Sequence, residues 1–250
     1  MTNEIAAIIL AAGKGKRMKS DMPKVLHLIN GVPIIRQLLA SLKKAGFSKI
    51  VVVIGYKGEQ VIDELQDMEV DFVWQKEQLG TGHAVMMTEK LFAGYEGTIL
   101  VAVGDVPFLS PDSVRELRAV HNCNNASATC LSAVFSDPTG YGRIVRKKGT
   151  DILLDIVEHK DADPDTQRIA EINSGIFCFA ARDLFQALRH VNNKNVQQEY
   201  YLTDTVRILR SWGKTCAVWK TPNPLEVMGV NSLDQLISLE KASPSKKSQE

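Results

Sequence analysis

Three runs in the first half of the chain, Ile5–Leu10 (IAAIIL), Ile50–Ile54 (IVVVI) and Ile99–Val103 (ILVAV), contain no polar residue. A strand with one wet face alternates apolar and polar side chains. A strand covered on both faces is apolar throughout. Runs this short are strands rather than helices, so they predict a buried, mostly parallel sheet. The stretches between them are amphipathic. After Pro33, residues Ile34, Ile35, Leu38, Leu39 and Leu42 fall on one helical face, and Gly46 ends the pattern. The alternation predicts an α/β fold, with a mixed, mostly parallel Rossmann-like sheet and helices on both faces.

Further elements follow the same reading. Val70–Trp74 is a third strand, and Gly58–Leu65 and Thr81–Phe92 are helices. Ser110 caps a helix that has Pro111 at its first position and runs to about His121. The texture changes after about Ala126. Strand-like Ala126–Phe135 leads into Gly140-Tyr141-Gly142, and Arg143–Val145 and Ile152–Glu158 flank Lys147-Lys148-Gly149 as a small antiparallel hairpin. Ile172–Phe179 and Thr215–Lys220 are strands; Asp183–Val191, Tyr200–Trp212 and a stretch from Ser232 are helices. One domain is expected over residues 1–242, with halves at about 1–125 and 126–242. The polar tail 243–250 (SPSKKSQE) is expected to be disordered.

Thirty basic residues stand against 29 acidic ones, net +1, so no global field points to nucleic acid or to an anionic membrane. The four cysteines form no CxxC pair and no zinc-site spacing, and read as free thiols of a reducing compartment. No basic stretch precedes the run Ile5–Ala12, which is too short to cross a bilayer; a soluble, cytoplasmic protein is expected.

The chemistry concentrates past the strand ends, where open α/β sheets bind ligands. After the first strand comes Leu10-Ala-Ala-Gly13-Lys-Gly15-Lys-Arg17-Met18, then Pro23-Lys24. Glycines let backbone N–H groups face an anion. Lys14, Lys16, Arg17, Lys19 and Lys24 oppose the single acid Asp21. The loop is neither a P-loop nor a dinucleotide fingerprint, whose third glycine is replaced by Met18. A solvated turn would explain the glycines; the five cations favour phosphate. Asp105, past the fourth strand, suits Mg²⁺ bridging phosphates, or a simple turn. Gln75 follows the third strand, and the helix start Gln78-Leu79-Gly80-Thr81-Gly82-His83 could read a base edge or a phosphate, or merely cap a helix.

Taken in order, these motifs resemble the family of nucleotidyltransferases that make nucleotide-sugars. The closer resemblance is to the uridylyltransferase half of the bifunctional N-acetylglucosamine-1-phosphate uridylyltransferases (GlmU). It rests on the first loop, on Gln75 with Gln78–Thr81, and on Gly104-Asp105-Val106-Pro107 and Thr139-Gly140-Tyr141-Gly142-Arg143. It continues through Ile156–Lys160, Glu171-Ile172-Asn173, Glu199-Tyr200-Tyr201 and Gly229-Val230-Asn231, so it spans roughly residues 5–235.

The resemblance implies a nucleotide-diphospho-sugar transferase fold with a nucleotide half and a sugar half, acting on UTP and a sugar 1-phosphate. On it Leu10, Ala11, Ala12 and Gly13 with Gln75, Gly80 and Thr81 hold the nucleotide. Arg17 and Lys24 are catalytic, Asp105 and Asn231 ligate Mg²⁺, and Gly142, Glu158 and Asn173 hold the sugar. Three of these have a structural alternative: Glu158 pairing with a lysine, Asn173 capping a strand end, and Asn231 capping the last helix. Two departures stand out. Val103 occupies a position that is often Tyr in the family. The β-helix acetyltransferase half is missing from these 250 residues, so no acetyl transfer is expected. A different sugar 1-phosphate, CTP in place of UTP, or a non-catalytic nucleotide-sugar sensor remain alternatives.

Overall fold

The computed structural model describes residues 5–18 and 20–242. The tail 243–250, residues 1–4 and Lys19 lie outside the described residues, as does the side chain of Lys16. In chain order the elements are β1 (Ile5–Ala11), β2 (Leu28–Ile29), β3 (Val32–Pro33), α1 (Ile34–Lys44), β4 (Lys49–Ile54), α2 (Gly58–Leu65), β5 (Asp71–Trp74) and α3 (Thr81–Met86). Then come β6 (Thr98–Val103), α4 (Pro111–Cys123), β7 (Ala128–Val134), β8 (Arg143–Arg146), β9 (Leu153–Val157) and α5 (Pro164–Gln167). The last are β10 (Glu171–Ala180), α6 (Ala181–Leu188), α7 (Asp204–Ser211), β11 (Cys216–Lys220) and α8 (Leu233–Ala242).

The central sheet has the order β11-β7-β10-β6-β1-β4-β5. Pairings β1–β4, β1–β6, β4–β5 and β7–β11 are parallel, and β10 runs against both of its neighbours, β6 and β7. β8 extends from β10 and pairs with β9 as the expected antiparallel hairpin. The fold is thus the mixed, mostly parallel sheet expected from the apolar runs.

Both faces are buried, and the strands divide their side chains between them. Ala6 and Ile8 of β1 join Val51, Val53, Val101 and Phe177 under α3, α6 and α7. Ala7 and Ile9 join Val52, Leu100 and Ala102 under α1, α2 and α4. A third, smaller cluster packs Met18, Ile29 and Ile34 against Val230 and Leu239, bringing the C-terminal helix back onto the first loop. Among the described residues no helix is long and apolar enough to cross a membrane.

Several boundaries differ from the sequence expectation, each for a tertiary reason. The stretch Tyr200–Leu202 is not helical. The Tyr200 N–H bonds the Leu79 carbonyl at 2.8 Å and the Leu202 N–H bonds Thr81 Oγ1 at 3.1 Å, so the helix waits until Asp204. The helix expected over Thr81–Phe92 breaks after Met86 and resumes as a 3₁₀ turn, Glu89–Phe92. The hairpin β2–β3 was not anticipated. It turns on Asn30-Gly31, both at positive φ (52° and 77°), the signature of a two-residue type I′ turn. The short helix α5 was missed too; Asp163 opens it by accepting the Thr166 N–H at 2.7 Å.

Ile8 is fully buried. Ile8→Ala is expected to lower unfolding free energy by about 2–5 kcal/mol, seen as a lower urea midpoint at unchanged slope. A loss below about 1 kcal/mol would mean that this face of the sheet is not closely packed.

Candidate active site

Beyond the carboxyl ends of β1, β5 and β6 lies an open cavity of about 460 Å³. Every residue to which the family resemblance gives a site role lines it. Leu10, Ala11, Ala12, Gly13, Arg17 and Lys24 come from β1 and its loop. Gln75, Gly80 and Thr81 follow β5, and Asp105 follows β6. Gly142, Glu158, Asn173 and Asn231 come from later segments.

The first loop keeps its shape because two of its residues are apolar anchors. Met18 is 1% exposed within the third cluster, and Val25 is buried beneath the sheet edge. Met18 thus stands where a dinucleotide fingerprint would need a glycine, and it holds the loop down. Of the cations read as one basic cluster, Arg17 and Lys24 reach the cavity. Lys14 lies over the Tyr56 ring at 5.1 Å, and Asp21 is taken by Lys57 at 2.5 Å and by the Tyr56 hydroxyl at 2.9 Å.

Asp105 is 5% exposed, and Lys24 Nζ donates to its Oδ2. The same ammonium donates to Asn231 Oδ1 at 3.2 Å, and Arg17 Nη2 donates to that oxygen at 2.9 Å. The returning strand of chain is held close by the Val230 N–H, which bonds the Asp105 carbonyl at 3.0 Å. Gly229 leaves room there: a Cβ would stand 3.0 Å from Asp105 Oδ2 and press on the carboxylate. Asn231 does not cap α8. Ser232 does, accepting the Gln235 N–H at 3.2 Å, which frees the Asn231 side chain for the cavity.

A carboxylate and an amide oxygen therefore converge on one cationic point, presently an ammonium. Among the described residues no group of three or more His, Cys, Asp or Glu could hold a metal ion. The donor set nevertheless fits Mg²⁺, which commonly takes one or two carboxylates and completes its shell with substrate phosphates and water.

Past the end of β5 Gln75 is buried. Its N–H continues the β5 ladder to the Ile54 carbonyl at 2.8 Å. Its Nε2 donates to the Gly80 carbonyl and to His83 Nδ1, both at 3.0 Å. Gly80 has φ 110°, and a Cβ would stand 2.6 Å from the Tyr200 carbonyl, so only glycine allows this turn.

On the opposite side the Asn173 N–H bonds the Gly142 carbonyl at 2.8 Å. Asn173 Oδ1 accepts from the Gly175 N–H at 2.9 Å and from Cys130 Sγ at 3.3 Å. Glu158 Oε1 accepts from the Thr203 hydroxyl at 3.1 Å, so its partner is a hydroxyl and not the lysine considered from sequence. Burial pushes the Glu158 carboxyl above its usual range, with Asp161, Asp204 and Glu199 adding repulsion. Val103 lines the cavity above Gly175.

Sequence reasoning assigned no role to Tyr141 or Glu199, yet both line the cavity. Their motifs were visible, but nothing local in them points inward. The Tyr141 ring sits edge-on to Phe135, centroids 5.0 Å apart, and burial followed by the nearby Asp105 charge pushes its phenol pKa up. The cavity wall thus has an aromatic ring, supplied by the 138–142 turn rather than by position 103.

Comparison with known proteins agrees with this geometry. The MobA-like NTP transferase domain matches residues 7–208. The bifunctional protein GlmU of Pelotomaculum thermopropionicum is 44% identical over 238 residues, 95% of this chain and 52% of that protein. GlmU of Acetivibrio thermocellus is 43% identical over 232 residues, 93% of this chain and 50% of that protein. The chain spans about half the length of the curated relatives it matches. A crystal structure of UDP-glucose pyrophosphorylase complexed with UDP-glucose superposes with a TM-score of 0.76 at 18% identity. It covers 97% of this chain and 99% of the other, which establishes a shared fold. The domain match runs over most of the sheet and through both sides of the cavity, and the chain belongs to the MobA-like NTP transferase family.

Proposed function

We propose that the chain transfers a uridylyl group from UTP to N-acetylglucosamine 1-phosphate, giving UDP-N-acetylglucosamine and pyrophosphate. The observation that carries this reading is the convergence of Arg17, Lys24, Asp105 and Asn231 on one wall of a cavity whose other wall holds Gly142, Glu158 and Asn173. The half-length similarity to GlmU proteins supports the choice of base and sugar.

In this reaction an oxygen of the sugar phosphate attacks the α-phosphorus of UTP, and pyrophosphate leaves. A phosphate oxygen is already a nucleophile, so the residues need only align the partners and balance charge. Arg17 and Lys24 neutralise the triphosphate and the charge that grows on the leaving pyrophosphate. Mg²⁺, held by Asp105 and Asn231, would supply Lewis-acid neutralisation of phosphate oxygens. The backbone from Leu10 to Gly13, with Gly80 and Thr81, cradles base and ribose. Both Gln75 donors described above are committed within the protein, which leaves its amide oxygen to face the base. Uracil offers an N–H at N3 where cytosine offers a lone pair, so this oxygen favours uracil.

Gly142, Glu158 and Asn173 receive the sugar, Glu158 as hydroxyl acceptor. Residues up to about 125 then form the nucleotide half and those from 126 the sugar half, with Asn231 returning to the nucleotide side. A cytoplasmic location belongs to the same reading, in keeping with four free cysteines. One observation favours a second substrate choice: Val103, smaller than the common Tyr, widens the wall beside Gly175 and would accommodate a different sugar 1-phosphate.

The deciding experiment is pyrophosphate release over a panel of triphosphates and sugar 1-phosphates, with and without Mg²⁺. UTP with N-acetylglucosamine 1-phosphate should be turned over fastest and only with the metal. Equal rates with CTP would remove the base assignment, and binding without turnover would make the chain a sensor.

Lys24→Ala is expected to lower kcat/KM by about 100-fold, roughly 2.7 kcal/mol of transition-state stabilisation. Near-normal kcat/KM would reject its catalytic role. Asp105→Asn should abolish Mg²⁺-dependent turnover while circular dichroism stays unchanged; retained activity would take Asp105 out of the metal site.

Glu158 gives a pH prediction. Its folded pKa lies above the unfolded value, so its contribution to stability is greatest in acid and falls as pH rises through the folded pKa. Glu158→Gln should therefore melt higher than the parent at pH 8, with the gap closing toward pH 4. Each kcal/mol gained corresponds to about 2–4 °C at this chain length. A gap that widens in acid would contradict the burial argument.

A further inference from the structure

Arg143 is among the largest fully buried side chains of the protein, 1% exposed at the start of β8. A guanidinium cannot shed its charge, and burying one is costly unless it is well bonded. The groups it bonds are neutral. Nε donates to the Gln167 carbonyl at 3.2 Å, Nη1 to the Tyr141 carbonyl, and Nη2 to His159 Nδ1 at 3.4 Å. A site that needed only volume would be filled more cheaply by an apolar side chain. What Arg adds is a rigid planar fork of directed donors.

Those acceptors belong to two segments that are separate in sequence and meet at the cavity. Tyr141 sits in the turn that carries Gly142, and His159 and Gln167 bracket the segment that follows Glu158. The two segments touch at the site itself: a Cβ on Gly142 would stand 3.3 Å from Glu158 Oε1. The Gly142 carbonyl is in turn tied to the Asn173 N–H at 2.8 Å. Arg143 is not itself a lining residue of the cavity.

We infer that Arg143 is a positioning residue for the sugar-phosphate side of the cavity. Its guanidinium clamps the 138–142 turn to the 158–168 segment and so fixes Gly142 and Glu158 relative to each other. This rests on the proposed sugar-binding role of that wall, but the clamp is a property of the free protein and can be read without substrate.

The test compares the full chain with Arg143→Met, which keeps the bulk and removes the donors, and Arg143→Lys, which keeps the charge and removes the fork. In the free protein, amide hydrogen exchange in 138–142 and 158–168 should accelerate about tenfold in Arg143→Met, with β1 and β4 unchanged. In steady state the KM for N-acetylglucosamine 1-phosphate should rise about tenfold while the KM for UTP stays within about twofold. Arg143→Lys should move the same way to a smaller extent, and it carries the test if Arg143→Met does not fold. Unchanged exchange in both segments, or equal rises in both KM values, would overturn the clamp. If the parent turns over no sugar phosphate, the substrate reading fails, and the exchange experiment alone decides the role of Arg143.

Discussion

The site is organised by one ammonium group. Lys24 Nζ bonds Asp105 Oδ2 and Asn231 Oδ1, joining positions from the start, middle and end of the chain. Asp105 is nearly sealed from solvent just past the end of β6, and a carboxylate there would be strongly destabilising without a cation. Much of the surrounding architecture serves that pair. Met18 and Val25 hold down the loop that carries Lys24, and Val230 and Leu239 bring the C-terminal segment across to deliver Asn231. On the proposed function the pair would be exchangeable: a triphosphate would give the lysine a more highly charged partner, and the two oxygens it left would be of the type that a divalent metal takes.

The sheet is what lets two halves of the sequence share one cavity. β10 comes from the second half, yet it inserts between β6 and β7 and runs against both. Its ladder to β7 loses register between Asn173 and Phe177, and Gly175 in that interval has φ 76°. A register shift re-aims side chains at a sheet edge. Here it places Asn173, Ser174 and Gly175 on the cavity beside Val103, the last residue of β6. Without the irregularity β10 would keep a regular ladder to β7 along this side of the cavity.

What could be read from sequence was what depends on local physics. Fully apolar runs marked the doubly covered strands, glycines and cations marked the first loop, and the rule that ligands sit beyond strand ends marked Asp105 and Gln75. What could not be read depends on contacts between distant segments. Tyr200–Leu202 has helical composition but is drawn out by bonds to Leu79 and Thr81. Tyr141 and Glu199 line the cavity only because their turns fold over it. The β2–β3 hairpin is a different case. Its Asn30-Gly31 signal was in plain view, but strands of two residues carry too little pattern to register.

The Gly142 side of the cavity carries the half-buried Glu158 carboxylate and the buried Arg143 guanidinium, and the two do not pair. Glu158 accepts from a threonine hydroxyl, and Arg143 donates to backbone carbonyls and an imidazole, with Gly142 beside both. A direct ion pair would occupy the carboxylate's lone pairs and draw the guanidinium off the turn. Kept apart, the carboxylate retains acceptor capacity toward the cavity, while the guanidinium spends its donors on the backbone that shapes the cavity wall. Stability alone would have favoured an apolar side chain in place of the buried guanidinium. On the proposed function, the separation of the two groups around Gly142 would leave a wall able to receive the hydroxyl groups of a sugar.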